Sequence, residues 1–174
     1  MGSLTLRKAD PSDSDFAYRV KRAAFRGYVE QVWGWDGAVQ RHLHEQRFAT
    51  QDYQVISVDG EDVGVAAWVV QPDCLKVNQL FILPEQQGRG VGRQVMLLTM
   101  AQAHELGLPV RLQVLKANPR ALVFYERLGF VRTGETDTHD LMEWSPQRER
   151  TDRTRTPSDT GGLADHGFPS LPPR

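Results

Sequence analysis

The sequence offers little that would mark a specialised environment. It has one cysteine, Cys74, so an intramolecular disulfide framework is excluded. It has no apolar run near the roughly 20 residues that a membrane-spanning helix needs. The longest, Val63 to Val70, is broken by Gly64. The opening Met1-Gly2-Ser3-Leu4-Thr5-Leu6-Arg7 lacks the basic and apolar regions of a secretory leader. Neither sign of charge is in excess: 21 Lys and Arg face 22 Asp and Glu, a net charge of −1. A nucleic-acid-binding surface would normally show as surplus cations. These absences lead us to expect a soluble, cytoplasmic protein with no nucleic-acid partner and no membrane association.

What is present is ordinary for a folded domain: 174 residues, 40% hydrophobic and 25% charged. Composition changes after Trp144. Residues 145–174 are rich in Thr, Pro, Arg, Asp and Gly and poor in aliphatic side chains. Such a stretch buries too little apolar surface to offset the entropy of ordering it. We therefore expect a domain over residues 1–144 and a disordered tail over 145–174.

Patterning within the domain predicts eleven elements in the order β-α-α-β-β-β-α-β-α-β-β, a mixed α/β fold. Leu4 and Leu6 alternate with polar residues as a first strand. Asp10-Pro11 opens a helix that turns Phe16, Val20, Ala23 or Ala24, and Phe25 to the core. The segment from Tyr28 to Gly37 breaks the pattern before a second helix through Phe48. Asp59-Gly60 is a hairpin turn between Tyr53–Val58 and Val63–Val70. Leu75 to Leu83 is a strand ended by Pro84, and a helix over Val91–Leu106 follows, with Val95, Leu98 and Ala101 or Gln102 along one side. Val110–Val114 is a strand, Asn118-Pro119 starts a short helix ending at Leu128-Gly129, and two last strands lie near Phe130-Val131 and His139–Trp144.

The most informative segment is Gln87-Gly88-Arg89-Gly90-Val91-Gly92, placed between a strand and a helix. A helix start leaves backbone N–H groups unpaired and carries partial positive charge, which suits a phosphate. Glycines let a pyrophosphate approach those donors, and Gln87, Arg89 and Arg93 can add contacts. The spacing separates this loop from commoner nucleotide motifs. Gly92 is followed by Arg93-Gln94 rather than the Lys and Ser/Thr of a P-loop, and the third glycine of a dinucleotide fingerprint is replaced by Arg93. A plain tight turn would use glycines here too.

About thirty residues on, Asn118-Pro119 suits a helix cap and first helical position. Ala121, Tyr125 and Leu128 then share a face. Tyr125 is either a core aromatic or a cleft residue whose hydroxyl donates a proton.

Together the two segments resemble the GNAT family of N-acetyltransferases. Its Gln/Arg-x-x-Gly-x-Gly/Ala pattern stands as Gln87, Gly90 and Gly92, and its later Asn, Tyr and Leu-Gly-Phe as Asn118, Tyr125 and Leu128-Gly129-Phe130. The resemblance implies a single domain whose mostly antiparallel mixed sheet, flanked by helices, contains one splayed parallel strand pair. It implies acetyl-CoA as cosubstrate and no metal. Leu80, Phe81 and Ile82 match the strand that pairs with the pantetheine arm; Gln87, Gly88, Arg89, Gly90, Val91, Gly92 and Arg93 match the pyrophosphate cradle; Asn118 matches a contact to the cofactor arm. Tyr125 matches the general acid. Some members carry Glu five residues before the Asn; here that position is Gln113, which takes no proton. Glu30, Asp36, His44, Glu45 and His139 are then candidate bases.

Acceptor specificity in such proteins comes from the first two helices and the last hairpin, which points to Tyr28, Trp33, Trp35, Asp36 and His139 as substrate residues. Trp33 and Trp35 could equally fill the core where the helices meet. The expected reaction is direct transfer to a primary amine of a small molecule, in a monomer or homodimer. Protein or peptide N-terminal acetylation, and non-catalytic acyl-CoA sensing, are the alternatives.

Overall fold

A computed structural model describes residues 2–146, and the expected tail from residue 147 onward lies outside the described residues. The strands are β1 (Leu4–Lys8), β2 (Tyr53–Val58), β3 (Glu61–Val70), β4 (Leu75–Ile82), β5 (Val110–Leu115), β6 (Val131–Glu135) and β7 (His139–Trp144). The helices are α1 (Ser14–Trp33), α2 (Gly37–Thr50), α3 (Val91–Leu106) and α4 (Pro119–Arg127). The strands form one sheet in the order β1-β2-β3-β4-β5-β7-β6. Every neighbouring pair is antiparallel except β4 and β5. This is the expected α/β architecture, in the expected element order.

Local chemistry explains most boundaries. Asp10 caps a short 3₁₀ turn, Pro11–Asp13, that leads into α1. The Asp13 carboxylate accepts two bonds from Arg7 (2.8 and 2.9 Å) and one from the Asp10 amide. Asp59 and Gly60 both take positive φ, as the two-residue hairpin turn between β2 and β3 requires.

Two details differ from the sequence reading. α1 does not break at Tyr28 but runs to Trp33, because no glycine or proline falls between Tyr28 and Trp33; Gly34 ends it. Of the alternatives Ala23 and Ala24, Ala23 is exposed and Ala24 half-buried, and the buried side of α1 is Ala17, Tyr18, Val20, Lys21 and Val29. On α3 the buried stripe is Val91, Val95, Met96, Thr99, Met100 and Ala103, while Leu98 is 53% exposed. Thr99 hides this stripe in the sequence; its hydroxyl is satisfied by the Val95 carbonyl at 3.0 Å, so it can be buried without loss.

The helices cover both faces of the sheet. α1 and α2 pack through Ala17, Val20 and Phe48 on Tyr53, Val65 and Ala67. α3 and α4 pack through Met96, Met100 and Tyr125 on Leu75, Val77, Leu112 and Val114. Burying a Val or Leu side chain such as Val20, Val65 or Leu75 contributes about 1.5–3 kcal/mol.

The feature that makes a site is a break in β4. Ala67 opposes Gln79 and Trp68 opposes Val77, leaving Asn78 as an extra residue. Such a bulge reverses the alternation: before it Val77 packs toward α3, and after it Phe81 packs toward α1. The parallel pairing with β5 covers only Leu75–Val110 and Lys76–Arg111. Beyond that point the two strands separate. Gly64 lets β3 hold the diverging half of β4, since a Cβ there would lie 2.6 Å from the Phe81 carbonyl oxygen.

Candidate active site

The gap between β4 and β5 opens into a cavity of about 540 Å³. That is within the range of small-molecule sites. Its walls come from four places: the β4 backbone from Val77 to Ile82, the loop and first turn of α3, α4 with Asn118, and a further wall from α1, β5 and β7.

The loop after β4 is tied down before it turns. Gln87 Nε2 donates to the Ile82 carbonyl (2.9 Å), which fixes the loop to the strand end. Gly90, at φ 83°, is the N-cap of α3 and supplies no side-chain cap. The Gln94 amide donates to the Gly90 carbonyl (3.0 Å) as the first-turn bond. The amides of Val91, Gly92 and Arg93 precede it and have no helical carbonyl to meet. The starts of α2 and α4 are closed by side chains. Asp36 accepts from the Ala38 and Val39 amides (3.0 Å each) at α2, and Asn118 Oδ1 accepts from the Ala121 amide (3.2 Å) at α4. At α3 the equivalent donors face the cavity, together with Arg93, Arg120 and Arg127.

Across the cleft, Tyr125 is 9% exposed, with Phe124 and Phe130 edge-on at 4.9 and 5.5 Å. Burial pushes its phenol well above the ordinary range, so it stays protonated at neutral pH. Its hydroxyl has no hydrogen-bond partner among the described residues, although buried tyrosines normally find one.

Of the residues expected to hold the cofactor, Leu80, Phe81, Ile82, Gln87, Gly88, Gly90, Val91, Gly92, Arg93 and Asn118 line the cavity, with Tyr125. Arg89 lies outside that lining. Of the expected substrate residues, Tyr28 and His139 line it; Trp33, Trp35 and Asp36 do not. Asp36 is committed to capping α2, and Trp35 lies under the Arg26 guanidinium. Trp33 stands behind the wall, its ring 6.2 Å from that of His139. The two tryptophans are half-buried, neither core nor lining.

The candidate bases separate equally clearly. His44 is buried between α1 and α2 with Nε2 on the Ser14 carbonyl (2.9 Å), and Glu30 pairs with Arg26 on the surface. His139 alone of the five lines the cavity, and among the described residues no Asp or Glu does. Pattern reading did not single out Gln79, Arg120, Arg127 and Phe124 as lining residues. Arg120 could have been noticed as a cation in the first turn after Asn118-Pro119; Gln79 could not, because the Asn78 bulge decides where it points. Among the described residues no group of three or more His, Cys, Asp or Glu is placed to hold a metal, and no helix is long and apolar enough to cross a membrane.

Residues 49–132 match the acetyltransferase (GNAT) domain family. A mycothiol acetyltransferase of Thermomonospora curvata is 31% identical over 149 residues, 82% of this chain and 48% of that protein. The chain thus spans about half the length of the curated relatives it matches first. An uncharacterized N-acetyltransferase of Archaeoglobus fulgidus is 30% identical over 131 residues, 70% of this chain and 89% of that protein. In fold, the chain is similar to the PaiA N-acetyltransferase of Thermoplasma acidophilum, solved in complex with coenzyme A. The TM-score is 0.69 at 15% identity, covering 82% of this chain and 99% of the other.

Proposed function

The chain belongs to the GNAT acetyltransferase family, and from that premise we propose that it transfers an acetyl group from acetyl-CoA to a primary amine of a small molecule. The observation that carries the proposal is the pairing of an uncapped, glycine-lined helix start with a buried, protonated tyrosine on the opposite wall of one cleft.

The fit of acetyl-CoA follows from the chemistry of the walls. The amides of Val91, Gly92 and Arg93, with Arg93 itself, supply unpaired donors and positive charge for a pyrophosphate. Beyond Lys76 the β4 edge has no strand partner on the β5 side, so its backbone groups can pair with an extended amide-bearing arm as they would with a strand. Leu80, Phe81 and Ile82 form that edge, and an amide there can polarise the thioester carbonyl. Asn118 spends its oxygen on the α4 cap and keeps its NH₂ for the arm.

The acceptor amine attacks as the neutral base, forming the C–N bond; the C–S bond then breaks and Tyr125 protonates the departing thiolate. The dry surroundings that hold the Tyr125 proton also disfavour a free thiolate. Phe25, Tyr28 and His139 form the acceptor wall. The aromatic rings of Phe25 and Tyr28 on that wall favour an acceptor recognised by aromatic contact. A cleft of small-molecule size and a relative named a mycothiol acetyltransferase support a small acceptor.

The test is CoA release measured with acetyl-CoA against small aliphatic, aromatic and amino-acid-derived amines and against peptides. Turnover confined to small amines supports the proposal; turnover confined to peptides replaces the acceptor class, and acetyl-CoA binding without turnover on any acceptor removes the catalytic reading.

A further inference from the structure

The acetyl-transfer reading leaves one role unassigned: the group that takes the proton from the acceptor nitrogen. The sheet register places a candidate. On β5, Leu112 and Val114 pack with Tyr125 and Phe130 on the α3/α4 face. Gln113 and Leu115 therefore point to the α1/α2 face. In the antiparallel β5–β7 pair Leu115 stands opposite His139, and directly opposed residues project from the same side. The contact between His139 and Trp33 of α1 places the ring on that side independently. His139 and Tyr125 thus line one cleft from opposite faces of the sheet.

We propose that His139 is the general base for the acceptor amine, acting across the cleft from Tyr125 as general acid. Nucleophile and leaving group sit on different sides of the reacting carbonyl carbon, and so do these two side chains. Among the described residues the other ionisable side chains lining the cavity are arginines and tyrosines, Arg93, Arg120, Arg127, Tyr28 and Tyr125, and a guanidinium has no acceptor site.

The imidazole is held for this task. The His139 amide donates to Thr136 Oγ1 (3.0 Å), and the Thr136 amide donates to the His139 carbonyl (2.8 Å). Nδ1 lies 2.8 Å from Thr138 Oγ1. In the reactive tautomer Nδ1–H donates to that hydroxyl and Nε2 carries the lone pair. Burial lowers the imidazole below its ordinary range, and the neighbouring Asp140 opposes that shift, so the base is neutral at pH 7. Of the other charges on the surrounding elements, Arg132 of β6 pairs with Asp140, and Lys116, just after β5, pairs with Glu135 of β6; α1 presents Trp33.

The steps balance without another reactant. The nitrogen lone pair bonds to the carbonyl carbon, His139 Nε2 takes the proton from that now-acidic nitrogen, and the C–S bond breaks. Tyr125 gives its proton to sulfur, and the imidazolium proton returns to the phenolate through solvent.

The test is His139→Gln, assayed with acetyl-CoA against benzylamine and spermidine, whose nitrogen after attack holds its proton tightly enough to need a base, and against trifluoroethylamine, whose nitrogen after attack is acidic enough to lose its proton to water. The expected result is a loss of about 100-fold in kcat/KM for the basic amines, a much smaller loss for trifluoroethylamine, and unchanged acetyl-CoA affinity by calorimetry. An equal loss for all three amines, or none, overturns the assignment. Should the variant not fold, the wild-type pH profile with benzylamine decides. Its kcat/KM falls on the acid side with the amine's own ionisation and then more steeply as the imidazole is protonated; a profile that never steepens overturns the assignment. Absence of wild-type turnover with these amines and the wider panel overturns the acetyl-transfer reading itself.

Discussion

The two walls of the cleft are built from different materials. The proposed donor wall is backbone: the open β4 edge, the loop at Gly88 and Gly90, and the uncapped amides at the start of α3. The proposed acceptor wall is side chain: Phe25 and Tyr28 on one helix, Gln113 on β5 and His139 on β7 line the cavity. A backbone site accepts almost any side chains provided that the turn keeps its shape, so it leaves a glycine pattern in the sequence. A side-chain site leaves no fixed spacing, because three distant segments supply it.

The largest break in this comparison is expected at the residue between the walls. Tyr125→Phe removes the acid without altering either wall, and kcat should fall about 100-fold or more while calorimetric acetyl-CoA affinity stays as in the wild type. Wild-type turnover in this variant would take Tyr125 out of the mechanism.

A smaller effect isolates the donor wall. Gly90 sits at φ 83° with open space where a Cβ would stand, so Gly90→Ala meets backbone strain rather than a clash. The cost of about 1–2 kcal/mol should appear as roughly tenfold weaker acetyl-CoA binding, with the acceptor KM little changed. A change confined to the acceptor KM would reverse the assignment of the walls.

The smallest effect lies behind the acceptor wall. Lys21 is 3% exposed, and burial, with Arg47 nearby, pushes its ammonium down to about 8. Because the folded state disfavours the charged form, Lys21 costs stability at neutral pH. That cost shrinks as pH rises from about 8 toward 10.5 and is absent above it. Lys21→Met should therefore stabilise the protein by on the order of 1 kcal/mol at pH 7, measured by urea unfolding, with the gain fading at alkaline pH. Destabilisation at pH 7 would mean that the ammonium has a stabilising role in the fold.

The same contrast explains what the sequence disclosed. Element order was legible because turns and caps are local: Asp59-Gly60, Asn118-Pro119 and the loop at Gly88 and Gly90 each declare themselves within a few residues. The proposed cofactor side rests on signals of the same local kind. The Asn78 bulge was not legible, since no residue type demands it and only the β3 register reveals it. Thr99 concealed the buried stripe of α3 behind a polar side chain that finds its partner within the helix. Trp33 and Trp35 drew attention by residue type, yet the continuous α1 carries Trp33 behind the wall, and His139 becomes meaningful only through its pairing with Leu115.

Hydrogen exchange of the intact chain with and without saturating acetyl-CoA tests the central claim most directly. The account predicts slowed exchange at the amides of the loop and first turn of α3, residues 88–93, and along β4 from Gln79 to Ile82, with α1 and β7 little changed. Protection confined to α1 and β7, or no binding of acetyl-CoA, would contradict it.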